Sequence, residues 1–514
     1  MTKRGLYVFL ILSALLLFHG LNNYYILSQS RYCLNYDSVD YLDHITQIAE
    51  TLNSATLTLK SFFETCDSLF DYTFKPPLFF LTAVPFLLFG INKDIIAMSN
   101  LLYFALLLFA TYGIGTRLYN HRVGILSAFL VSMFPVVFTQ SRVIMADLAL
   151  TSMVALTLYL FILNKFHNIW FSLLTGLVIG LGALTKQTYF IFLAPILLYP
   201  FLEGNIARNN RAVRNFALSL IIGLLIAITY YTHAPLPISY YQHSLQYRTH
   251  PDPFFYIYAL FNHQLFPVFS ILFIASIALY IKKKKYFFPV VICALAVLFS
   301  IPPSKQYRFM LPIFPWAAVM IAGSLSSLLK VRRIYVISLV LFALVQYGVI
   351  SYGGFLPKRY NPAQNILSEL PKFGVGEMGF FQALDEGDWY GPAGEIVKIV
   401  NENAKKNKTE EARVLFIGQT WRIHSAIRYL CLVQKKPVQA TVEWVLLWGG
   451  DRDWDSDITQ WDVIILEKML PQDVWADTRP SVEAFERQQE KFTYIKSVTF
   501  PDNSLGYAYV RSKE

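Results

Sequence analysis

The first 352 residues are dominated by apolar segments of about bilayer length, and this pattern constrains the fold more than any other. Some ~20 consecutive apolar residues cross a bilayer as a helix, because a helix satisfies its own backbone hydrogen bonds in hydrocarbon. Candidate spans are 5–27, 94–117, 122–140, 147–165, 169–185, 189–203, 214–232, 264–281, 286–301, 310–329 and 333–352. Hydrophobic residues make up 55% of the chain and charged residues 15%. Soluble domains carry ~25% charge. The start, "MTKRGLYVFLILSALLLFHG", is read as a retained first span rather than a cleaved leader. Its apolar run is long, and no small-x-small cleavage site follows cleanly.

The net charge of +10 belongs to the membrane reading, not to nucleic acid. The basic residues fall in short clusters between apolar runs, as positive-inside anchoring requires. No recognised nucleic-acid motif is present. Lys3 and Arg4 put the N-terminus in the cytoplasm. The segment 76–92, "PPLFFLTAVPFLLFGIN", is either a further span or a helix lying in the interface. If it does not cross, Arg117 with Arg122, Lys165, Arg208 with Arg211 and Arg214, Lys282 to Lys285, and Lys330 with Arg332 and Arg333 all share the cytoplasmic side. Pro77 and Pro85 also argue against a spanning helix there. The expected outer surface then holds 28–93, 141–147, 185–188, 233–263, 302–309 and the tail.

The tail, 353–514, is rich in Asp, Glu, Lys and Trp and has no spanning run. "RVLFIG" at 413–418 and "DVIILE" at 462–467 predict buried strands. Residues 425–433 and 481–492 predict helices. "YIKSVTFPDNSLGYAYVRS" predicts two strands around a Pro-Asp-Asn turn. The expected domains are therefore 1–352, transmembrane, and 353–514, a small extracytoplasmic α/β domain.

Several charges collect on the expected outer side. Asp37, Asp40 and Asp43 share one face of a predicted helix, as a solvated face or as working carboxylates. Asp37 could instead cap that helix. Lys75 stands before Pro76 and Pro77, as an interfacial anchor or a phosphate ligand. Arg142 and Asp147 lie between two apolar runs in "SRVIMADLAL". Either Arg142 snorkels and Asp147 caps the next helix, or both take part in chemistry. Lys186 adds a cation on that side, against the positive-inside trend, and Arg248, Lys305 and Arg308 add others in the loops 233–263 and 302–309. Cys33 and Cys66 flank one outer loop and could form a disulfide. Cys293 and Cys431 show no metal-site spacing with other residues.

Four stretches resemble the GT-C membrane glycosyltransferases of the protein O-mannosyltransferase and lipid A aminoarabinose transferase superfamily. These are Asp37 with Tyr41, the "KPPL" at Lys75 to Leu78, the "SR-x-I-x-x-D-x-x-L" at Ser141 to Leu150, and the "G-x-L-T-K" at Gly182 to Lys186. The matching order covers residues 1 to about 330. The resemblance implies a polytopic α-helical membrane protein of GT-C type, with about 11 spans and a C-terminal extracytoplasmic α/β domain. It implies transfer of a sugar, with inversion, from a polyprenyl-phosphate-sugar donor to a lipid, glycan or protein acceptor at the outer face of a plasma (bacterial inner) membrane. Asp37 would be the general base, with Asp40 as substitute, because Ser38 stands where the family has glutamate after the aspartate. Asp147 would orient acceptor or sugar. Lys75, Arg248 and Arg308 would hold the leaving phosphate, and Arg142 would hold a loop carboxylate or contact phosphate. Tyr41, Pro76, Pro77, Lys186 and Lys305 would complete the substrate-binding set.

No cofactor is indicated; an obligatory divalent cation is not expected, as no adjacent acidic pair flanks Asp147. A transporter and a lipid-linked polysaccharide polymerase or ligase are the rival readings. A transporter would place its charges near the midplane, commonly with internal repeats. Here they gather on one side and no repeat is seen.

Overall fold

The computed structural model describes residues 3–29, 34, 36–52, 76–202, 206–232, 252–302, 305–328, 334–352, 390–407, 412–418, 421–435, 438–442, 453–467, 479–501 and 504–512. Lys75, Arg248, Cys33 and Cys66 lie outside them, and with them the phosphate-ligand and disulfide expectations for those residues. The chain divides into two compact units, Met1–Ser28 with His44–Gly90 and Asp94–Gly374, and Gln29–Asp43 with Ile91–Lys93 and Val375–Glu514.

The first unit is helical. Its longer helices are α1 (Lys3–Gln29), α2 (Tyr36–Leu52, shared with the second unit), α3 (Asn100–Leu118), α4 (His121–Met133), α5 (Asp147–Asn164), α6 (Ile169–Ala183), α7 (Tyr189–Leu202), α8 (Asn210–Tyr231), α9 (Phe266–Lys282), α10 (Phe287–Ser300), α11 (Phe314–Leu328) and α12 (Ile334–Tyr352). Among the described residues, six helical segments are long and apolar enough to cross a membrane, and seven more apolar helices are shorter. The chain is a multi-pass membrane protein.

Capping fixes one end of this bundle. Asn120, Asn168 and Asn209 each accept from two backbone N–H groups at the starts of α4, α6 and α8. These are the orphan donors that every helix start exposes. Tyr119 and Tyr280 are hydrogen-bonded through their hydroxyls at this end, and Lys285 Nζ lies 5.0 Å from the Tyr119 ring centroid. At the other end, Asn100 Nδ2 donates to Val143 O at 2.6 Å and Leu78 N to Leu184 O at 2.9 Å.

Helices α6 and α8 cross closely. A Cβ on Gly180 would come within 2.5 Å of Ile226 Cβ, and one on Gly223 within 2.5 Å of Ile179 Cγ2. Small residues let membrane helices approach in this way. The close crossing sets the turn after α6, where Tyr231 OH donates to Ala183 O at 3.1 Å.

Two expected helices differ in outline. The 122–140 span is broken at Phe134, which is extended, and restarts as a short helix with Pro135 in its first turn. Proline there forces its predecessor out of the helical region. The segment 76–92 holds two six-residue pieces, a helix Leu78–Ala83 and a 3₁₀ helix Val84–Phe89. At 1.5–2 Å per residue, neither is long enough to cross hydrocarbon.

The second unit contains a five-stranded sheet of order β2-β1-β3-β5-β4, from β1 (Ala412–Ile417), β2 (Val438–Val442), β3 (Val463–Glu467), β4 (Phe492–Thr499) and β5 (Leu505–Arg511). Strands β2, β1 and β3 are parallel, and β5 pairs antiparallel with β3 and β4. Helices α13 (Tyr390–Asn407) and α14 (Trp421–Val433) pack against Val414, Phe416, Val463 and Ile465. Leu415, Ile417 and Ile464 face a second cluster with Trp454 and with Phe485 of α15 (Arg479–Gln488). Burial on both faces explains the continuous apolar runs of β1 and β3. The expected helix 481–492 stops at Gln488. A 3₁₀ turn follows at Gln489–Lys491, and Phe492 opens β4, where it pairs with Arg511. Edge pairing overrides helical patterning in those last residues.

Candidate active site

Asp147 is the first residue of α5, and its side chain is almost wholly buried. The helix is preceded by Ala146, which makes no side-chain cap. Asp147 is therefore not the cap residue. Its carboxylate lies in the first turn, where the unpaired N–H groups and the helix dipole favour negative charge. Lys186 Nζ donates to its Oδ1 at 2.7 Å. Arg308 Nη1 lies 3.8 Å from its Oδ2. Three segments far apart in sequence thus meet: the first turn of α5, the turn after α6, and the 3₁₀ helix Tyr307–Ile313.

Both cations flank one ring. Lys186 Nζ is 5.6 Å and Arg308 Cζ 5.9 Å from the Phe309 centroid. Arg308 Nε donates to Gln306 Oε1 at 2.5 Å, and Nη1 contacts Met145 Sδ. The backbone of this loop is held from outside: Tyr256 OH donates to Gln306 O at 3.3 Å and Gln264 Nε2 to Tyr307 O at 2.7 Å. Lys305 is buried three residues before Arg308. Burial pushes its ammonium below the ordinary lysine range, and the charge of Asp252 opposes that shift. Among the described residues, two cations around one carboxylate leave an excess of positive charge. A desolvated excess of this kind suits an anion such as a phosphate.

Arg142 is placed elsewhere. It is buried, with Nε donating to Asn23 Oδ1 at 2.9 Å and Nη2 to Tyr347 OH at 3.0 Å and Ser351 Oγ at 2.8 Å. Its guanidinium also lies over the rings of Phe138 and Tyr347, at 5.1 and 5.6 Å. Among the described residues these polar partners are neutral, and they come from α1 and α12. Arg142 does not join the Asp147 cluster; it ties the loop before α5 to two helices.

Asp37 lies half-buried in the first turn of α2. Tyr41 is buried. Asp40 and Asp43 both face Arg428 of α14, at 3.5 and 3.1 Å from its Nη2. They are paired carboxylates rather than a merely solvated face. Pro76 is buried, and Pro77 precedes the helix Leu78–Ala83. Among the described residues no group of three His, Cys, Asp or Glu side chains converges as metal ligands.

Phe309, Gln306 and Met145 went unassigned in the sequence, although each is within three residues of an assigned one. Arg428 falls in a predicted helix, and nothing around it in sequence assigns it a role. A charge inside "SAIRYLCLV" was the available signal.

Residues 75–233, which include Asp147 and Lys186, match the family model described as dolichyl-phosphate-mannose-protein mannosyltransferase. No curated protein is a significant sequence match. Among solved structures, ArnT from Cupriavidus metallidurans in the apo state matches with a TM-score of 0.60 at 14% identity, covering 99% of this chain and 98% of that one. The fold is of the GT-C type, as in ArnT. Another GT-C structure, ArnT bound to undecaprenyl phosphate, matches at TM-score 0.57 and 13% identity over 99% and 98% of the two chains. The archaeal oligosaccharyltransferase AglB from Archaeoglobus fulgidus, in complex with an inhibitory peptide and a dolichol-phosphate, matches at 0.57 and 11%, over 98% of this chain and 74% of its own. The GT-C likeness extends beyond the helices, since the ArnT match takes in the C-terminal sheet unit as well.

Proposed function

We propose that this GT-C protein transfers a sugar, with inversion, from a polyprenyl-phosphate-sugar to a hydroxyl or amine on a lipid, glycan or protein acceptor, at the outer face of the plasma membrane. The observation that carries this reading is the positive excess around Asp147, in a chain whose fold matches an undecaprenyl-phosphate-bound structure along its whole length.

Asp37 accepts the proton of the acceptor nucleophile as that nucleophile bonds to the anomeric carbon. The bond from that carbon to the phosphate oxygen breaks, and polyprenyl phosphate leaves with the electron pair. Charge developing on the leaving oxygen needs cations, and Arg308, Lys75 and Arg248 supply them. Lys186 is committed to Asp147 and serves mainly to hold that carboxylate, which orients the sugar or acceptor. Lys305 adds to the positive field. Tyr41, Pro76 and Pro77 line the donor side, and Arg142 acts by fixing the loop that leads into α5 and so to Asp147.

The experiment is direct. Purified full-length protein is incubated with polyprenyl-phosphate-linked sugars and a membrane extract as acceptor source, and released polyprenyl phosphate is measured. Release with formation of a glycosylated product of inverted anomeric configuration supports the reading. No consumption of any such donor, with transport of solute into vesicles instead, refutes it.

A further inference from the structure

We propose that Arg428, on helix α14 of the sheet-containing unit, is a positioning residue for the transfer reaction: it clamps the first turns of α2 and thereby fixes where Asp37 presents its carboxylate. The catalytic consequence rests on Asp37 being the base.

The clamp is visible in the contacts. A single guanidinium nitrogen, Arg428 Nη2, lies 3.1 Å from Asp43 Oδ2 and 3.5 Å from Asp40 Oδ1. The three side chains are only 17%, 16% and 29% exposed, so the pairing is partly shielded from water. Residues three apart on a helix share a face. Asp40 and Asp43 therefore report the position of the turn that begins at Asp37. Without a cation, three carboxylates on one face repel each other and loosen that end of the helix.

Arg428 is itself held firmly. Its helix buries Ile423, Ala426, Ile427 and Cys431 against the sheet. One turn earlier on α14, the His424 ring bonds to Ala440 O of β2 at 3.0 Å. The path is continuous, from sheet to α14, to Arg428, to Asp40 and Asp43, and so to Asp37. All of these residues lie within one compact unit. An ion pair of this exposure adds little to stability, so its use lies in geometry.

The test compares Arg428→Gln and Arg428→Lys in the full-length protein in nanodiscs. Two quantities are read: hydrogen exchange of the amides 38–43, and turnover of the polyprenyl-phosphate-sugar that the protein consumes. Arg428→Gln should speed exchange over 38–43 and lower kcat by about 10- to 100-fold, the scale of a small misplacement of a reacting group, with donor KM unchanged. Arg428→Lys should recover most of both. If Arg428→Gln does not fold, Asp43→Asn weakens the shorter of the two contacts from the other side. Unchanged exchange over 38–43 overturns the clamp. Faster exchange with unchanged kcat overturns its role in the reaction. Asp37→Asn separates the two claims: full activity in that variant refutes the base and the catalytic consequence together, while the exchange result still decides the clamp.

Discussion

Asp147 Oδ1 accepts a hydrogen bond from Lys186 Nζ at 2.7 Å, and this contact joins the first turn of α5 to the turn after α6. The pair is nearly dry on the aspartate side. Burying one charge without the other is expensive, so the two residues must be considered together.

Asp147→Leu should leave the part-exposed Lys186 beside an apolar group and destabilise the protein, by less than the ~3–5 kcal/mol lost when a fully buried pair is broken. The double variant Asp147→Leu with Lys186→Met removes both charges and should recover most of that loss. It should not recover sugar transfer. Thermal unfolding in detergent, beside a donor-consumption assay, checks both halves. Recovery of activity in the double variant would make the pair purely structural.

If the proposed mechanism holds, Arg308→Ala should weaken donor binding more than it slows turnover of bound donor, because that mechanism gives Arg308 the phosphate and Asp37 the proton. Loss of a charge-assisted hydrogen bond is worth roughly 1.5–3 kcal/mol, or about 10- to 100-fold in donor affinity. Binding of labelled polyprenyl phosphate to wild-type and variant protein measures it directly.

Arg142→Gln should act differently. It removes the bonds to Tyr347 and Ser351 and leaves donor affinity close to wild type, because those partners hold helices rather than substrate. A fall in melting temperature with an unchanged donor KM is the expected signature. A selective loss of donor affinity would return Arg142 to the phosphate site.

The contrast between Arg142 and Asp147 shows what the sequence could convey. Apolar runs of bilayer length are local, so the helices were legible with boundaries off by a few residues. Breaks at Phe134–Pro135 followed from proline chemistry but needed the structure to locate them. β1 and β3 were legible because burial on both faces produces unbroken apolar runs; β2, "VQATV", carries no such run and was not seen. Asp147 and Lys186 were each identified as candidates, yet nothing in their spacing of 39 residues says that they bond. The partners of Arg142 lie 119, 205 and 209 residues away, a relation only tertiary packing creates.

The sheet-containing unit should lose stability in acid. Burial, and next the charge of Arg428, push the His424 imidazole down to about 3; the bond to Ala440 O and the charge of Asp40 oppose the shift. The unfolded chain takes up this proton below its ordinary value of about 6.5, and the folded chain does not until about 3. Stability therefore rises with pH between those values, by up to about 1.4 kcal/mol per pH unit for this one group. His424→Gln should flatten the slope in that window, and Arg428→Gln should narrow the window from below. Denaturant unfolding followed between pH 4 and 7 checks it; an unchanged slope in His424→Gln would assign the acid sensitivity to other groups.

The central claim is that the first-loop aspartate of a GT-C fold activates an acceptor against a polyprenyl-phosphate-sugar. The most direct measurement is single-turnover consumption of that donor by Asp37→Asn, with Asp40→Asn alongside. Asparagine keeps the shape but cannot take the proton, so Asp37→Asn should transfer about 10²–10⁴-fold more slowly while still binding donor. Asp40→Asn loses one of the two contacts to Arg428 and should slow transfer far less than Asp37→Asn does. Loss in Asp40→Asn with full activity in Asp37→Asn would move the base by one turn of α2, and wild-type turnover in both variants would contradict the mechanism.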